Sequence, residues 1–232
     1  FLADGSGIHS LVWTRAPAPG GLPFFALRDP VLTNVQSVAF RAALGDTEAE
    51  RSGVFVANAS GIRSVAAEKD DLGGSVTLSH LTGDPVAAAD GSVAFVAVRT
   101  RLLQPGLRKT LGPAIFRETA SGLTLVVAQD MPGPAGGTFR NLEAPTAGAV
   151  GHLAFRGSFL PLTGGTAGFF LATEMGLEPY LSLGEATPAG GRFASFGARA
   201  TLNGHDDLAF SATLSRGAAR SGIFLASRAQ LG

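Results

Sequence analysis

Three adjacent polar residues, His205, Asp206 and Asp207, form the best cluster for metal or acid-base chemistry in the sequence. A histidine beside two carboxylates can bind a cation, or can act as an acid and base pair. These residues precede a predicted strand, however, and successive side chains of an extended segment point to opposite sides. The three therefore cannot converge without partners from elsewhere in the chain. We favour a solvated turn here, and we predict neither a metal site nor a catalytic residue.

A basic segment, residues 99–110, is the second candidate site, and it is an insertion relative to the repeats that make up the chain. No acidic residue occurs between Asp90 and Glu118, and the segment carries four cations: Arg99, Arg101, Arg108 and Lys109. Such a group suits a phosphate, an acidic glycan or an acidic patch on a partner protein. Insertions in repeat proteins map to loops on one face, often the binding face. The interpretation we favour is an ordinary exposed hairpin loop; the functional alternative is a basic binding loop in which these four cations contact the ligand.

Other motifs for chemistry are weak. The four consecutive residues from Glu68 to Asp71 mix a lysine with three acids and lack the spaced oxygen ligands and central glycine of a calcium loop, so we predict a surface turn. No serine-hydrolase elbow and no phosphate-binding glycine motif is present. We expect no cofactor. The histidines stand at different places in their repeats, which excludes a metal ring encoded by the repeat: His9, His80, His152 and His205.

Composition limits the classes of partner. The 232 residues are 45% hydrophobic and 16% charged, so the chain can bury a sizeable core. The formal net charge is +0, which provides no long-range attraction to nucleic acid or to an anionic membrane. There is no cysteine, hence no disulfide and no thiolate chemistry. No apolar run approaches the roughly 18 residues that span a bilayer. We predict neither a nucleic-acid partner nor a membrane span.

The elements that must position these residues recur at a fixed spacing. A Val-Ala-Phe strand occurs four times, and its phenylalanine advances by 55, 60 and 55 residues: Phe40, Phe95, Phe155 and Phe210. A Gly-x-Phe strand, a second strand that begins at a glycine, and a Gly-Gly turn keep the same order. Periods of this size are typical of propellers, solenoids and arrays, in which each unit buries its apolar face against the next.

Each repeat contains four predicted strands, so the chain is all-β, with four repeats in one domain. We predict repeats at 1–52, 53–113, 114–167 and 168–221, with an extra strand at 222–232. Large residues fall on both faces of the strands, which suits sheets stacked face to face as in a β-propeller or an open propeller-like array. The repeated phenylalanines are expected to be core anchors.

This combination of strands resembles a class of secreted bacterial repeat proteins of unknown function, in which an Asn-x-x-Gly turn commonly precedes the Val-Ala-Phe strand. The resemblance implies a propeller-like fold and a secreted or cell-surface location. It implies no chemistry. Asn34 and Asn203 hold the turn position in two repeats, whereas alanine or glycine replaces asparagine in the others. No shared ligand site follows from the resemblance.

We predict a non-catalytic extracellular scaffold or binding module with a protein or glycan partner. The alternative is a propeller-type hydrolase or lyase with polar residues gathered at a central channel. The chain begins at Phe1, inside a repeat strand, so we expect either a removed signal segment or a piece of a longer chain. The Phe strand occurs five times and the Val-Ala-Phe strand four times, so we predict that terminal strands support a homo-oligomer or filament.

Overall fold

The protein is built of antiparallel β-strands. The computed structural model describes residues 2–4, 7–33, 36–46, 51–134, 136–148, 151–160, 167–188, 190–217 and 219–228. Phe1 and Asn34, which the repeat pattern includes, lie outside these residues. None of the described residues forms a helix with the length and apolar character that a membrane crossing requires.

The strands form one small hairpin and four larger sheets. The hairpin joins β1 (Leu2–Asp4) and β2 (Gly7–His9). Sheet 1 contains β3 (Phe24–Leu27), β4 (Val31–Leu32), β5 (Val38–Leu44), β6 (Arg51–Asn58) and β7 (Gly61–Ala67). Sheet 2 contains β8 (Val76–Leu81), β9 (Val86–Ala87), β10 (Val93–Gln104), β11 (Leu107–Thr119) and β12 (Gly122–Ala128). Sheet 3 contains β13 (Thr138–Leu142), β14 (Thr146–Ala147), β15 (Leu153–Leu160), β16 (Ala167–Thr173) and β17 (Gly176–Ser182). Sheet 4 contains β18 (Arg192–Leu202), β19 (Leu208–Ser215) and β20 (Ser221–Ala226).

Sheets 1 to 3 share one order of strands. The strand after the Gly-Gly turn pairs with the Val-Ala-Phe strand, which pairs with the Phe strand, which pairs with the strand that begins at a glycine. Sheet 4 has the first three of these strands. Meandering four-stranded antiparallel sheets are the blades of β-propellers. The predicted fold class, all-β with blade-like repeats, is confirmed.

The chain divides into two compact units, which are residues 1–87 with 91–126 and residues 88–90 with 127–232. Unit 1 holds sheets 1 and 2 except for the last two residues of β12, and unit 2 holds sheets 3 and 4. Landmarks in sheets 1 and 3 are 115 residues apart, as are those in sheets 2 and 4, for example Phe40 and Phe155 or Phe95 and Phe210. The two units are therefore two copies of one two-sheet arrangement.

A cross-strand pair of phenylalanines forms the centre of every sheet. Their rings lie 5.7 or 5.8 Å apart between centroids in Phe40–Phe55, Phe95–Phe116, Phe155–Phe170 and Phe210–Phe224. A third ring packs edge-on against the pair in sheets 1, 3 and 4, from Phe24, Phe139 and Phe193, and Leu78 takes that place in sheet 2. The four Val-Ala-Phe phenylalanines are buried, as predicted. These rings are the core of the blades.

The glycine two residues before the Phe of the third strand is fixed by close packing. A Cβ atom on Gly53 would lie 2.8 Å from the ring of Phe55, and one on Gly168 would lie 2.5 Å from the carbonyl oxygen of Leu181. Both distances are shorter than side chains tolerate. The Gly-x-Phe motif therefore has glycine at this position because the ring and the neighbouring strand leave no room for a side chain.

The turn before each Val-Ala-Phe strand has one residue in the left-handed conformation. Its φ is 52° at Gln36, 83° at Gly91, 80° at Gly151 and 63° at Asp206. Glycine adopts this conformation without steric cost, and aspartate tolerates it better than most residues. The glycine of the Asn-x-x-Gly pattern thus allows the left-handed backbone conformation of the turn, and Asp206 occupies the corresponding position in the last repeat.

The terminal Phe strand of the sequence is used within a sheet. Phe224 in β20 pairs with Phe210 in β19 in the same register as in the other sheets. The first Phe strand pairs with the strand after it in the small hairpin. The predicted bounds of the repeats begin at the Phe strand, whereas each sheet begins two strands earlier, after the Gly-Gly turn.

We predict that Phe155→Ala lowers the free energy of unfolding by about 3 to 5 kcal/mol, because a buried aromatic ring is replaced by a cavity. Phe155 is 1% exposed and contacts the rings of Phe139 and Phe170. Phe25→Ala is the matched control, because Phe25 is 42% exposed. Urea unfolding measures both variants, and an equal effect of the two would contradict the assignment of Phe155 to the core.

Candidate functional site

The basic segment is a two-stranded ribbon, which corrects the prediction of a loop. Strand β8 accompanies β10 as far as Arg101, and beyond that residue β10 and β11 continue as a pair and turn at Pro105 and Gly106. Residues 101–110 are all exposed, so both faces of the ribbon lie in solvent. A ribbon without a buried face has no alternating hydrophobic pattern, which is why its sequence predicts a loop.

The ribbon places two cations directly opposite each other. Arg101 pairs with Lys109 across the strands, and Arg108 pairs with Leu102 on the other face. Directly opposite residues have Cβ atoms about 5 Å apart, and like charges at that distance destabilise the pair. No ion pair joins Arg101, Arg108 or Lys109 to an acid within the described residues. The repulsion is therefore uncompensated within that part of the chain.

The fourth predicted cation lies at the base of the ribbon. Arg99 pairs with Gly112 in β11 and with Leu78 in β8, and it is half-buried. It lies on the same side of β10 as Arg101, because alternate residues of a strand share a face. Arg101 also pairs with Val76 in β8, so Arg99 and Arg101 both border the sheet, whereas Arg108 and Lys109 lie on β11 near the turn of the ribbon.

Exposed leucines accompany the cations at the end of the ribbon. Leu102, Leu103 and Leu107 are 44%, 52% and 53% exposed. Leu103 lies at a register shift, so it has no residue directly opposite in β11. A cluster of exposed large apolar side chains next to a charge is typical of a surface that contacts another molecule. The ribbon combines positive charge with apolar area.

The cluster His205, Asp206 and Asp207 separates in the structure. His205 is exposed, whereas Asp206 is 8% exposed and turns inward, where its Oδ2 lies within hydrogen-bond distance of His152 Nδ1 at 2.7 Å. Arg228 lies 3.6 Å from the same carboxylate oxygen, Oδ2. Its other oxygen, Oδ1, is buried and has no hydrogen-bond partner among the described residues. The convergent group is therefore Asp206 with His152 and Arg228, and not the three neighbours in sequence.

Asp207 remains at the surface of the same turn. The Asn203 side chain donates from Nδ2 to Asp207 Oδ2 at 2.9 Å, and the backbone N–H of Asp207 donates to Asn203 Oδ1. Side-chain hydrogen bonds from Asn203 and Ser227 hold the pKa of Asp207 below its ordinary value. Asn203 thereby closes the turn in the way that the Asn-x-x-Gly pattern requires.

Tyr180 connects this turn to the last strand of sheet 4. Its hydroxyl lies 2.6 Å from the carbonyl oxygen of Asp206 and 2.9 Å from that of Ala226. Burial, with the charges of Asp207 and Asp206 nearby, raises the pKa of the Tyr180 phenol. The phenol therefore stays protonated and can donate to these carbonyl groups. Arg228 adds a contact to Glu178 at 2.9 Å.

The Asp206 cluster has limited chemical capacity. A carboxylate that holds Nδ1 of a histidine orients its imidazole, which is the arrangement of a general base or a metal ligand. Among the described residues, no group of three or more His, Cys, Asp or Glu side chains could hold a metal ion. His152 and Arg228 escape sequence reasoning because they lie 54 residues before and 22 residues after Asp206. We interpret the cluster as a polar anchor of the turn.

We predict that Tyr180→Phe lowers the free energy of unfolding by about 1 to 2 kcal/mol, because it removes the donor that the carbonyl groups of buried Asp206 and half-buried Ala226 share. Urea unfolding followed by circular dichroism provides the measurement. Thr173→Val is the control, since the hydroxyl of Thr173 bonds within an exposed turn. No loss of stability in Tyr180→Phe would show that the carbonyl groups find water instead.

Comparison with known proteins gives a family and no activity. Neither a curated protein nor a solved structure matches the chain. A family model matches residues 2–231, which is almost the whole chain. On that match, the protein belongs to DUF7453, a family of unknown function.

Proposed function

We propose that the protein is a non-catalytic extracellular binding module, in which the β10–β11 ribbon docks onto an acidic and partly apolar surface of a partner protein. The observation that carries this proposal is the directly opposed pair of Arg101 and Lys109 on a ribbon exposed on both faces. An acidic group that contacts both cations removes their repulsion. Binding therefore gains free energy that the isolated ribbon lacks.

The ribbon is dispensable for the blade itself. In sheet 4, the corresponding strands β19 and β20 end near Ser215 and Ser221, without a projecting ribbon. The Phe95–Phe116 pair lies in the part of the sheet before the register shift between Arg99 and Thr100, and the turn of the ribbon lies beyond that shift. Since a blade of this fold forms without the extension, the extension is available for another purpose.

The leucines favour a protein over a glycan as the partner. Glycans and phosphates satisfy cations, but they offer little apolar area to Leu103 and Leu107. A protein surface can supply carboxylates around an apolar pocket, and buried apolar anchors with charges at the rim are the usual composition of such interfaces. The cations would then determine the rate of association and the leucines the lifetime of the complex.

We predict opposite effects of Arg101→Glu on binding and on stability. The new carboxylate faces Lys109, so the ribbon gains about 0.2 to 1 kcal/mol of stability from the cross-strand pair. The salt concentration that elutes the variant from immobilised polyglutamate, an acidic polypeptide, is lower than for the parent, because positive charge is lost. Arg101→Lys is the control and keeps both properties. Unchanged retention of Arg101→Glu, or a parent that does not bind polyglutamate even at low salt, contradicts the proposal.

We propose, as a second function, self-association through β20. This strand is at the edge of sheet 4, and its outer face carries Ile223 and Leu225, which are 87% and 67% exposed. Exposed apolar edge strands are sites where another chain can add a strand. Contacts between unlike surfaces of identical chains form a ring when the rotation between them closes, and a filament when it does not.

We predict that light scattering of the parent shows a mass that rises with concentration, and that Ile223→Lys with Leu225→Lys abolishes the rise. Lysine on an edge strand opposes strand addition, because its charge must stay in water. Met175→Lys is the matched control, because Met175 is 91% exposed but lies in the turn between β16 and β17 of sheet 3. A parent that stays monomeric at all concentrations contradicts self-association.

A further inference from the structure

Each unit contains a cleft between its two sheets, and the two clefts occupy equivalent positions. The cleft of unit 1 has a volume of about 480 Å³ and is lined by Arg28, Arg41, Ser52, Glu68, Lys69 and His80. The cleft of unit 2 has a volume of about 270 Å³ and is lined by Glu143, Arg156, Ala167, Leu183, Ser195 and Phe196. Position by position, these residues are 115 apart: 28 and 143, 41 and 156, 52 and 167, 68 and 183, 80 and 195. Unit 2 is therefore an internal reference for unit 1.

One arginine has the same structural role in both clefts. Arg41 donates from its guanidinium to the carbonyl oxygen of Leu81 at 3.1 Å. Its counterpart Arg156 donates to the carbonyl oxygen of Phe196, which occupies the position of Leu81. This bond ties the Val-Ala-Phe strand of one sheet to the first strand of the next. The fold therefore explains the arginine, because both units use it in the same way. The other lining residues differ between the two clefts, so the shared fold does not explain them.

A part-buried hydrogen-bonded pair in unit 1 is an apolar pair in unit 2. Ser52 Oγ lies 2.7 Å from Glu68 Oε1, and the backbone N–H of Ser52 donates to Glu68 Oε2 at 3.2 Å. Ala167 and Leu183 stand at these two positions in unit 2. Because both partners are replaced together and the sheets keep their arrangement, the fold does not require the serine and the carboxylate. In unit 1 the Glu68 carboxylate also accepts from the backbone N–H of Leu81 at 3.4 Å and lies 3.5 Å from His80 Nδ1, so it spans the cleft from β6 to β8.

The charge of the lining also differs between the clefts. Three cations and one carboxylate line the cleft of unit 1, which gives a formal charge of +2, whereas one cation and one carboxylate line that of unit 2. The difference comes mainly from Arg28, because Glu143 stands at its position and pairs with Arg156. In unit 1, Arg41 pairs with Asp84 at 3.3 Å instead. Arg28 and Lys69 are exposed at the mouth of the cleft.

We propose that the cleft of unit 1 binds a small polyhydroxylated anion of the size of a hexuronate, which is a sugar acid. Its volume lies within the range of about 300 to 1,000 Å³ that small-molecule sites occupy, and that of unit 2 lies below it. Arg28 and Lys69 bind the carboxylate of the ligand. The ligand hydroxyls donate to Glu68 Oε2, which retains a free lone pair, and to Ser52 Oγ.

The test grafts the residues of unit 2 onto unit 1. Calorimetric titration with D-glucuronate measures the affinity of the parent and of three variants: Arg28→Glu, Lys69→Gly, and the double variant Ser52→Ala with Glu68→Leu. Each introduces the residue that unit 2 holds at that position, so the fold is expected to survive, and thermal unfolding checks this. Lys69 has φ of 73° and its counterpart Gly184 has φ of 86°, so glycine there also removes backbone strain. Ser195→Ala in unit 2 is the matched control.

We expect saturable binding of glucuronate by the parent and an affinity at least about tenfold lower in Arg28→Glu, in Lys69→Gly and in the double variant, with Ser195→Ala unchanged. D-Glucose tests the role of the anion and sulfate tests the role of the hydroxyls, and both are expected to bind more weakly. The proposal is overturned by a parent that shows no saturation well above about 1 mM glucuronate. It is equally overturned by folded graft variants that bind like the parent, or by glucose or sulfate that binds as tightly as glucuronate.

Discussion

The cross-strand pair of phenylalanines is the interaction on which the sheets depend. Two rings at 5.7 to 5.8 Å on adjacent strands bury a large apolar area and fix the register, because a slip of one strand by one residue would place the two rings on opposite faces of the sheet. The residue between the valine and the phenylalanine is alanine, whose side chain points to the opposite face of the strand and must fit under the layer that covers that face. Ala39, Ala94 and Ala154 are almost fully buried, so the sheet is covered on both faces. Every repeat must satisfy this constraint, and the recurring sequence motif is its result.

The sequence repeat predicts the architecture. The features that depart from the repeat, which are the ribbon and the burial of Asp206, could not be predicted from it. Phe40 and Phe155 predict buried strands, because packing in the sheet determines both their spacing along the chain and the small alanine beside each ring. The sequence predicts a loop for the ribbon, because residues 101–110 have no core face. Their strand conformation depends on hydrogen bonds between β10 and β11, on the pairing of β10 with β8 as far as Arg101, and on the turn at Gly106. The acid at position 206 was predicted to lie in a solvated turn, and its burial depends on His152, a residue of the preceding sheet.

The cleft of unit 1 escaped sequence reasoning for a related reason. Glu68 and Lys69 belong to a mixed-charge segment that predicts a surface turn, and Lys69 is indeed exposed. The side chain of Glu68, however, is only 16% exposed, because it folds back onto Ser52. Charge pattern alone cannot show that a carboxylate in a turn accepts hydrogen bonds from an adjacent strand. That requires the register between β6 and β7, which brings Gly53 opposite Ala67 and so places Ser52 beside residue 68.

Two copies of one arrangement separate structural constraint from function in a way that a single copy cannot. Residues that both units share, such as Arg41 and Arg156, form the same bond and are explained by the fold. Positions that differ, such as Glu68 and Leu183, are free of that constraint, since either residue is compatible with the sheets. A hydrogen-bonded carboxylate in a cleft costs desolvation free energy relative to a packed leucine. Its presence in the cleft of unit 1 and not in that of unit 2 is the reason for proposing a ligand there, and the same reasoning applies to the ribbon of sheet 2, for which the described strands β19 and β20 of sheet 4 have no counterpart.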